Sequence, residues 1–256
     1  MNRRISILTP CFNSAATIER AIHSVQLQGH DNVEHIVVDG ASTDGTVDIL
    51  KRYPHLRWIS EPDQGQSDAM NKAMRMATGD VMTFLNADDE FFAGAFACAD
   101  RLFDQSPHAD MVIGRYELRK ATCNVVVKPR LVPESVVGGI GDWPGNPVSY
   151  FYKADLQNRI GPFPKENHYT MDFWWMLRAL SLATPVYSDE VFGCFHCYGD
   201  NKSSDRENVI RCRKLELMKY MLSIRGVKHV PIWLKTRYWH YLYRQRLKSE
   251  RLGGTS

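Results

Sequence analysis

At 256 residues the chain can bury a full core, and suits one large α/β domain or one domain with a tail. Its composition, 44% hydrophobic and 24% charged, is that of an ordinary soluble globular protein. The net charge of +3 hides an asymmetry: 13 of the 32 Lys/Arg but only 3 of the 29 Asp/Glu lie from Arg206 onward, so an acidic body carries a basic tail.

The opening run MNRRISILTPCFNS has basic residues, but its apolar stretch is soon broken. No signal peptide is expected there, and no later segment is long and apolar enough to cross a membrane. The six cysteines (11, 98, 123, 194, 197 and 212) are scattered, as reduced thiols in a cytoplasm would be. Cys194 and Cys197 form one C-x-x-C, weak evidence for zinc without a second ligand pair.

In chain order, ISILTP (5–10) predicts a short buried strand stopped by proline. Asn13 and Ser14 are placed to cap a helix, in which Ile18, Ala21, Ile22 and Val25 recur at helical spacing. HIVVDG (35–40) predicts a second strand, and 44–53 a second helix with acids in its first turn. LRWIS (56–60) is a third strand. Residues 66–77 form a third helix, with Ala69, Ala73, Met76 and Ala77 inward and Gly79 ending it. VMTFL (81–85) is a fourth strand. This rhythm predicts a mostly parallel sheet with helices on both faces.

Ligands of such sheets sit outside the carboxyl ends of the strands. Four polar clusters fall there: Thr9-Pro10-Cys11-Phe12-Asn13, Asp39 to Asp44, Glu61-Pro62-Asp63, and Asn86-Ala87-Asp88-Asp89. Farther on, MVIGRYEL and NVVVKPRL predict antiparallel strands, and GGIGDWPGNP a loop. MDFWWMLRALSL predicts a helix with Phe173, Trp174, Leu177 and Leu180 on one face and Asp172 in its first turn. Residues 207–224 and 231–248 predict two more helices.

These motifs, in this order, resemble family 2 glycosyltransferases of the GT-A fold over roughly residues 4–204. DGASTDGT differs from the family's usual "DGSSTDGT" only at Ala41, and LNADDE stands where the family carries Asp-x-Asp. NPVSYFYKADLQNRIGPF resembles the stretch before the acceptor site, and MDFWWMLR the motif that carries the catalytic base. The family often ends its core with "F-R-x-H". Here Phe195-His196-Cys197-Tyr198 puts His196 in place of the arginine and Tyr198 in place of the histidine.

The resemblance implies a Rossmann-like GT-A domain over 1–205, with a donor half to about 110 and an acceptor half beyond it, followed by a basic helical extension over 206–256. It implies inverting transfer from a nucleotide diphosphate sugar to a hydroxyl, on a glycan or lipid-linked acceptor of surface-polysaccharide synthesis. A hard cation, Mg²⁺ or Mn²⁺, is the usual neutraliser of the diphosphate. Asp88 is the expected carboxylate ligand, Asn86 assists with Ala87 beside it, and His196 is a second candidate metal ligand. Asp89 is left to a supporting or acceptor role. Asp39 is placed to accept from a uracil N3–H or a ribose hydroxyl, which favours UDP. Pro10, Phe12 and Asn13 would line the base pocket, and Asp68 would reach the ribose or diphosphate. Asp172 is the expected general base, kept ionised by its helix N-terminus. Arg178 faces either the diphosphate or a structural partner.

The tail WLKTRYWHYLYRQRLKSER interleaves aromatic and basic residues, a pattern that suits an anionic membrane interface or the outer face of a packed helix. Nothing upstream carries a nucleic-acid motif, so no nucleic-acid partner is expected. A cytoplasmic enzyme, docked at most on the inner face of the plasma membrane, fits these features. Two rivals remain: a sugar-nucleotide-binding subunit without catalysis, and a nucleotidyltransferase. The second would need a glycine-rich phosphate loop, and TPCFNS has no glycine.

Overall fold

The computed structural model describes residues 3–132, 135–136, 143–198 and 206–223. Among them a single mixed sheet runs β3-β2-β1-β4-β8-β6-β9-β5, with β7 paired to β6. Its first half is parallel: β1 (Ile5–Cys11) lies between β2 (Val33–Asp39) and β4 (Val81–Phe84), and β3 (Arg57–Ser60) flanks β2. Beyond β4 the sheet turns mixed. The strand β8 (Tyr150–Lys153) is antiparallel to both β4 and β6 (Met111–Lys120). Next, β9 (Pro185–Cys197) runs parallel to β6 and antiparallel to the two-residue β5 (Glu90–Phe91). The predicted antiparallel pair is β6 and β7 (Asn124–Val127).

Helices cover both faces because side chains alternate along each strand. Leu8, Ile36 and Val38 point to α3 (Gln66–Met76), in a core shared with α5 (Ala154–Ile160) and α6 (Met171–Leu182). Ile5 and Ile7 point the other way, to α1 (Ile18–Gln26) and α4 (Ala95–Gln105). On that side Ile18 and Ile22 of α1 pack with Leu50 of the short α2 (Thr46–Leu50).

Several elements depart from expectation. The first strand runs through Pro10 to Cys11, because pairing with β4 ends at Leu8 and β4 makes no demand on the missing N–H. Asn13 and Ser14 do not cap α1; Thr17 precedes it without a side-chain cap, and the Ser14 carbonyl accepts from Thr17 N and Ile18 N. Met76 and Ala77 are only half-buried. The helix α6 is buried nearly all round rather than on one face, Trp175 and Met176 included.

The last described helix, α7 (Arg206–Ser223), is not a detached appendage. Its Leu217 and Tyr220 join the core beneath α6, and the Tyr220 and Ser181 hydroxyls touch. Each such burial is worth roughly 1.5–3 kcal/mol. The predicted helix over 231–248 lies outside the described residues. Among those described, no helix is long and apolar enough to cross a membrane.

Candidate active site

The parallel half of the sheet builds the first wall. Its register sets Cys11 beside Asp39 and Asp39 beside Ser60. Asp39 is fully buried, and its carboxylate takes Ser42 N at 2.9 Å, Ser60 Oγ at 2.6 Å, the Ser42 hydroxyl, and the Cys11 thiol at 3.6 Å. A carboxylate has about four acceptor positions, so a nucleobase donor must displace one of these partners.

Asn13 clamps the loop after β2: its N–H donates to Ser42 Oγ at 2.7 Å and its Oδ1 accepts from Thr43 N at 2.9 Å. This holds Asn13 itself at φ 48° and Ala41 at φ 63°, left-handed values that side chains resist. Pro10 is buried behind them. Phe12 stands 62% exposed. A Cβ on Gly40 would lie 2.8 Å from Asp63 Oδ2 and 3.3 Å from the Phe12 ring, so the missing side chain leaves a slot between them.

The turn after β4 is the second wall. Asp89 is fully buried and accepts from Asn86 Nδ2 at 2.9 Å, Asn146 Nδ2 at 2.9 Å and His196 N at 3.0 Å. Burial, then the neighbouring Asp88 charge, pushes its carboxyl up to about 7. Asp89 therefore faces inward and ties three segments together, while Asp88 is part-exposed. Gln66 at the start of α3 donates to Asn86 Oδ1 at 3.2 Å, so both ends of that amide are engaged. Ala87 is buried under the turn. Arg20 of α1 donates to the Asp88 carbonyl and, at 2.9 Å, to the Tyr198 hydroxyl.

An oxygen-rich corner of this kind fits a hard cation, with Asp88 as carboxylate ligand and the remaining positions left to phosphate and water. His196 has a different setting. Its Nε2 lies 2.9 Å from Glu90 Oε1, and its ring stacks on Tyr198 with centroids 5.6 Å apart. Ligand atoms of Glu90, Cys194 and His196 lie within 4.8 Å of one another, the one such grouping among the described residues. That trio fits a metal poorly. Burial pushes the Cys194 thiol up to about 11, and the Arg119 guanidinium already stands 3.4 Å from Glu90 Oε1. Cys194 of the C-x-x-C is a buried strand residue facing Glu90 across a strand pair, in keeping with the weak case for zinc there.

The segment that leads into α6 hangs from α3. Asn71 and Phe163 exchange two hydrogen bonds, Asn71 Nδ2 to Phe163 O at 2.8 Å and Phe163 N to Asn71 Oδ1 at 2.9 Å. Ser67 Oγ donates to Asn167 O at 2.8 Å, and Asn167 Oδ1 accepts from Thr170 N at 2.9 Å. Asp68, buried, pairs with Lys165 at 2.8 Å, which holds its carboxyl below the usual range. Lys72 reaches Glu61 at 2.7 Å and Asp68 only at 4.0 Å.

These bonds fix the segment that delivers Asp172 to the first turn of α6. Burial raises the Asp172 carboxyl above the usual range, against the Arg213 charge and the Phe173 N–H donated at 2.7 Å, which both favour the anion. Arg178 lies 3.9 Å over the Trp174 ring and faces Glu216, a structural setting on the α6–α7 side.

Asn146, Arg20, Gln66 and Arg213 escaped sequence reasoning. For Asn146 a local signal existed, since Asn before Pro147 is a helix-capping pattern, and its Oδ1 does accept from Val148 N at 2.9 Å. For the others only the fold brings them in. Two surface cavities, of about 640 and 290 Å³, lie elsewhere, around Gly29, His30 and Asp31.

Known proteins with these features point one way. The profile described as Glycosyl transferase family 2 matches residues 6–180. A Mycobacterium bovis (BCG) PGL/p-HBAD biosynthesis glycosyltransferase is 36% identical over 191 residues, 69% of each chain. A Bacillus subtilis protein named for teichuronic acid biosynthesis, TuaG, is 40% identical over 93 residues, 34% of this chain and 36% of that one. The chain thus spans about a third of the length of some curated relatives it matches. Among solved structures, S. aureus TarS 1-349 in complex with UDP-GlcNAc superposes with TM-score 0.70 at 20% identity, covering 88% of this chain and 69% of that one. Pyrobaculum calidifontis mannosyltransferase PcManGT, in complex with GDP-Man and Mn²⁺, gives 0.65 at 20% identity, covering 99% and 76%. With the fold shared and the profile covering most of the sheet, the chain belongs to the family 2 glycosyltransferases.

Proposed function

We propose that the protein moves a sugar from a nucleotide diphosphate sugar, UDP-linked by preference, to a hydroxyl of a glycan or lipid-linked acceptor, with inversion at the anomeric carbon. The observation that carries this reading is the inward-turned Asp89, which leaves its neighbour Asp88 at the carboxyl edge of four parallel strands. The slot between Phe12, Gly40 and Asp63 takes the base, with Asp39 setting its floor. Asp88, with Asn86 behind it, would hold Mg²⁺ or Mn²⁺, which when bound neutralises the diphosphate.

Asp172 accepts the proton of the acceptor hydroxyl as its oxygen bonds to the anomeric carbon and the sugar–diphosphate bond breaks. The nucleoside diphosphate leaves with that electron pair, so no covalent enzyme intermediate is needed. Burial makes this carboxylate a stronger base than one in water, which suits the task. The relatives named for PGL/p-HBAD and teichuronic acid biosynthesis support a glycan or lipid-linked acceptor. Peripheral docking of the basic 206–256 segment on the inner membrane face is part of the same proposal. It requires full-length protein, but not protein truncated after Ser223, which keeps α7 seated on the core, to sediment with anionic liposomes.

The decisive experiment measures donor turnover with Mn²⁺ or Mg²⁺ across UDP-, GDP- and dTDP-sugars for wild type, Asp88→Asn and Asp172→Asn. Turnover by wild type alone supports the proposal. An Asp172→Asn variant as active as wild type removes the base assignment, and nucleotide binding without turnover in all three proteins indicates a binding subunit.

A further inference from the structure

Arg213 lies on α7, beyond the stretch matched by the family profile, yet it reaches the acceptor side. Its guanidinium carbon is 4.8 Å from the centroid of the Trp143 ring and 5.6 Å from that of Phe173. Those two rings meet edge-on at 5.9 Å and so form a corner that fixes the guanidinium from two sides. Its Nε is buried and makes no hydrogen bond to the protein. Phe173 directly follows Asp172 in the first turn of α6, while Glu216 of α7 faces Arg178 and takes Lys219 at 3.0 Å.

The groups that face Asp172 can be named. From α7 comes Arg213, from β8 the buried Tyr150 hydroxyl, and from its own helix the Phe173 N–H. Arg213 is the cation among them within the described residues. A buried carboxylate without a cation takes up a proton instead of accepting one from substrate.

We propose that Arg213 is a positioning residue for the acceptor reaction: clamped on Trp143 and Phe173, its charge keeps Asp172 the anion that receives the acceptor's proton. The proposal rests on Asp172 being the base, and α7 is then a working part of the site.

Titrating full-length protein labelled with ¹³C at the aspartate carboxyls reads this without any acceptor. The Asp172 resonance is the one missing from Asp172→Asn. Arg213→Met should raise its midpoint by about one pH unit, while Arg213→Lys leaves it near wild type. Donor hydrolysis should lose its acid limb over the same shift, with activity recovering at higher pH. If Arg213→Met does not fold, Arg213→Gln removes the charge while keeping a planar head group for the rings. An unmoved midpoint in a folded charge-removing variant overturns the proposal and leaves Arg213 a packing residue. Turnover retained in Asp172→Asn would instead remove the base assignment, whatever the midpoints do.

Discussion

Asn146 Nδ2 donates to Asp89 Oδ2 at 2.9 Å, and through that bond the loop before β8 holds the turn that presents Asp88. Asn146 also caps the short 3-10 turn that opens β8, so loop, strand and the Asn86–Asp89 turn form one unit. Asp89→Ala strands three buried donors, Asn86 Nδ2, Asn146 Nδ2 and His196 N. It should cost about 3–5 kcal/mol in urea denaturation, with Asn146→Ala nearer 1–3 kcal/mol.

Replacing Asp88 separates binding from stability. The side chain is part-exposed, so Asp88→Asn should change the denaturation midpoint little. Calorimetry with UDP should show affinity falling roughly ten-fold or more when EDTA is added to wild type, and no response to EDTA in Asp88→Asn. An EDTA response preserved in the variant would move the ion elsewhere.

The proposed base slot makes opposite demands on two residues. Phe12 is exposed, so Phe12→Ala should lower UDP affinity roughly five-fold and leave stability unchanged. Asp39 holds four donors, so Asp39→Ala should destabilise by about 2–4 kcal/mol and lose UDP binding as its loop loosens. Thermal melts with and without UDP distinguish the two patterns.

Acid stability should depend on Glu34, at the far end of the sheet. Burial would raise this carboxyl, but Ser6 Oγ at 2.6 Å, Thr78 N at 2.6 Å and Arg57 hold it at about 2. A depressed acid stabilises the fold above its unfolded pKa, about 4.5, and loses that contribution as pH falls toward 2. On the order of 2 kcal/mol should disappear across that window in wild type. Glu34→Gln should flatten this part of the pH–stability curve.

What the sequence made legible was local. Ile5-Ser6-Ile7-Leu8 is broken only by a small serine and Ile36 to Val38 is apolar throughout, so the parallel strands and the polar clusters at their ends could be read directly. Asp88 and Asp172 followed from motif order. The role of Asp89 could not be read, since it depends on Asn146, 57 residues away, and on His196, 107 residues away. Nor could a two-residue strand such as β5, or the 13-residue β9, be seen without their partners. The helix N–H groups do favour the Asp172 anion, as the sequence suggests, but the opposing burial that tertiary packing imposes could not be read from it.

The seating of α7 against α6 bears on engineering. Acceptor preference in such enzymes is an obvious target for exchanging segments between relatives, and residue 205 looks like a convenient junction. A chimera cut there would separate Leu217 and Tyr220 from their host cavity and Arg213 from its two rings. Exchangeable units in this chain should therefore be drawn around α6 and α7 together, as one inheritable cassette.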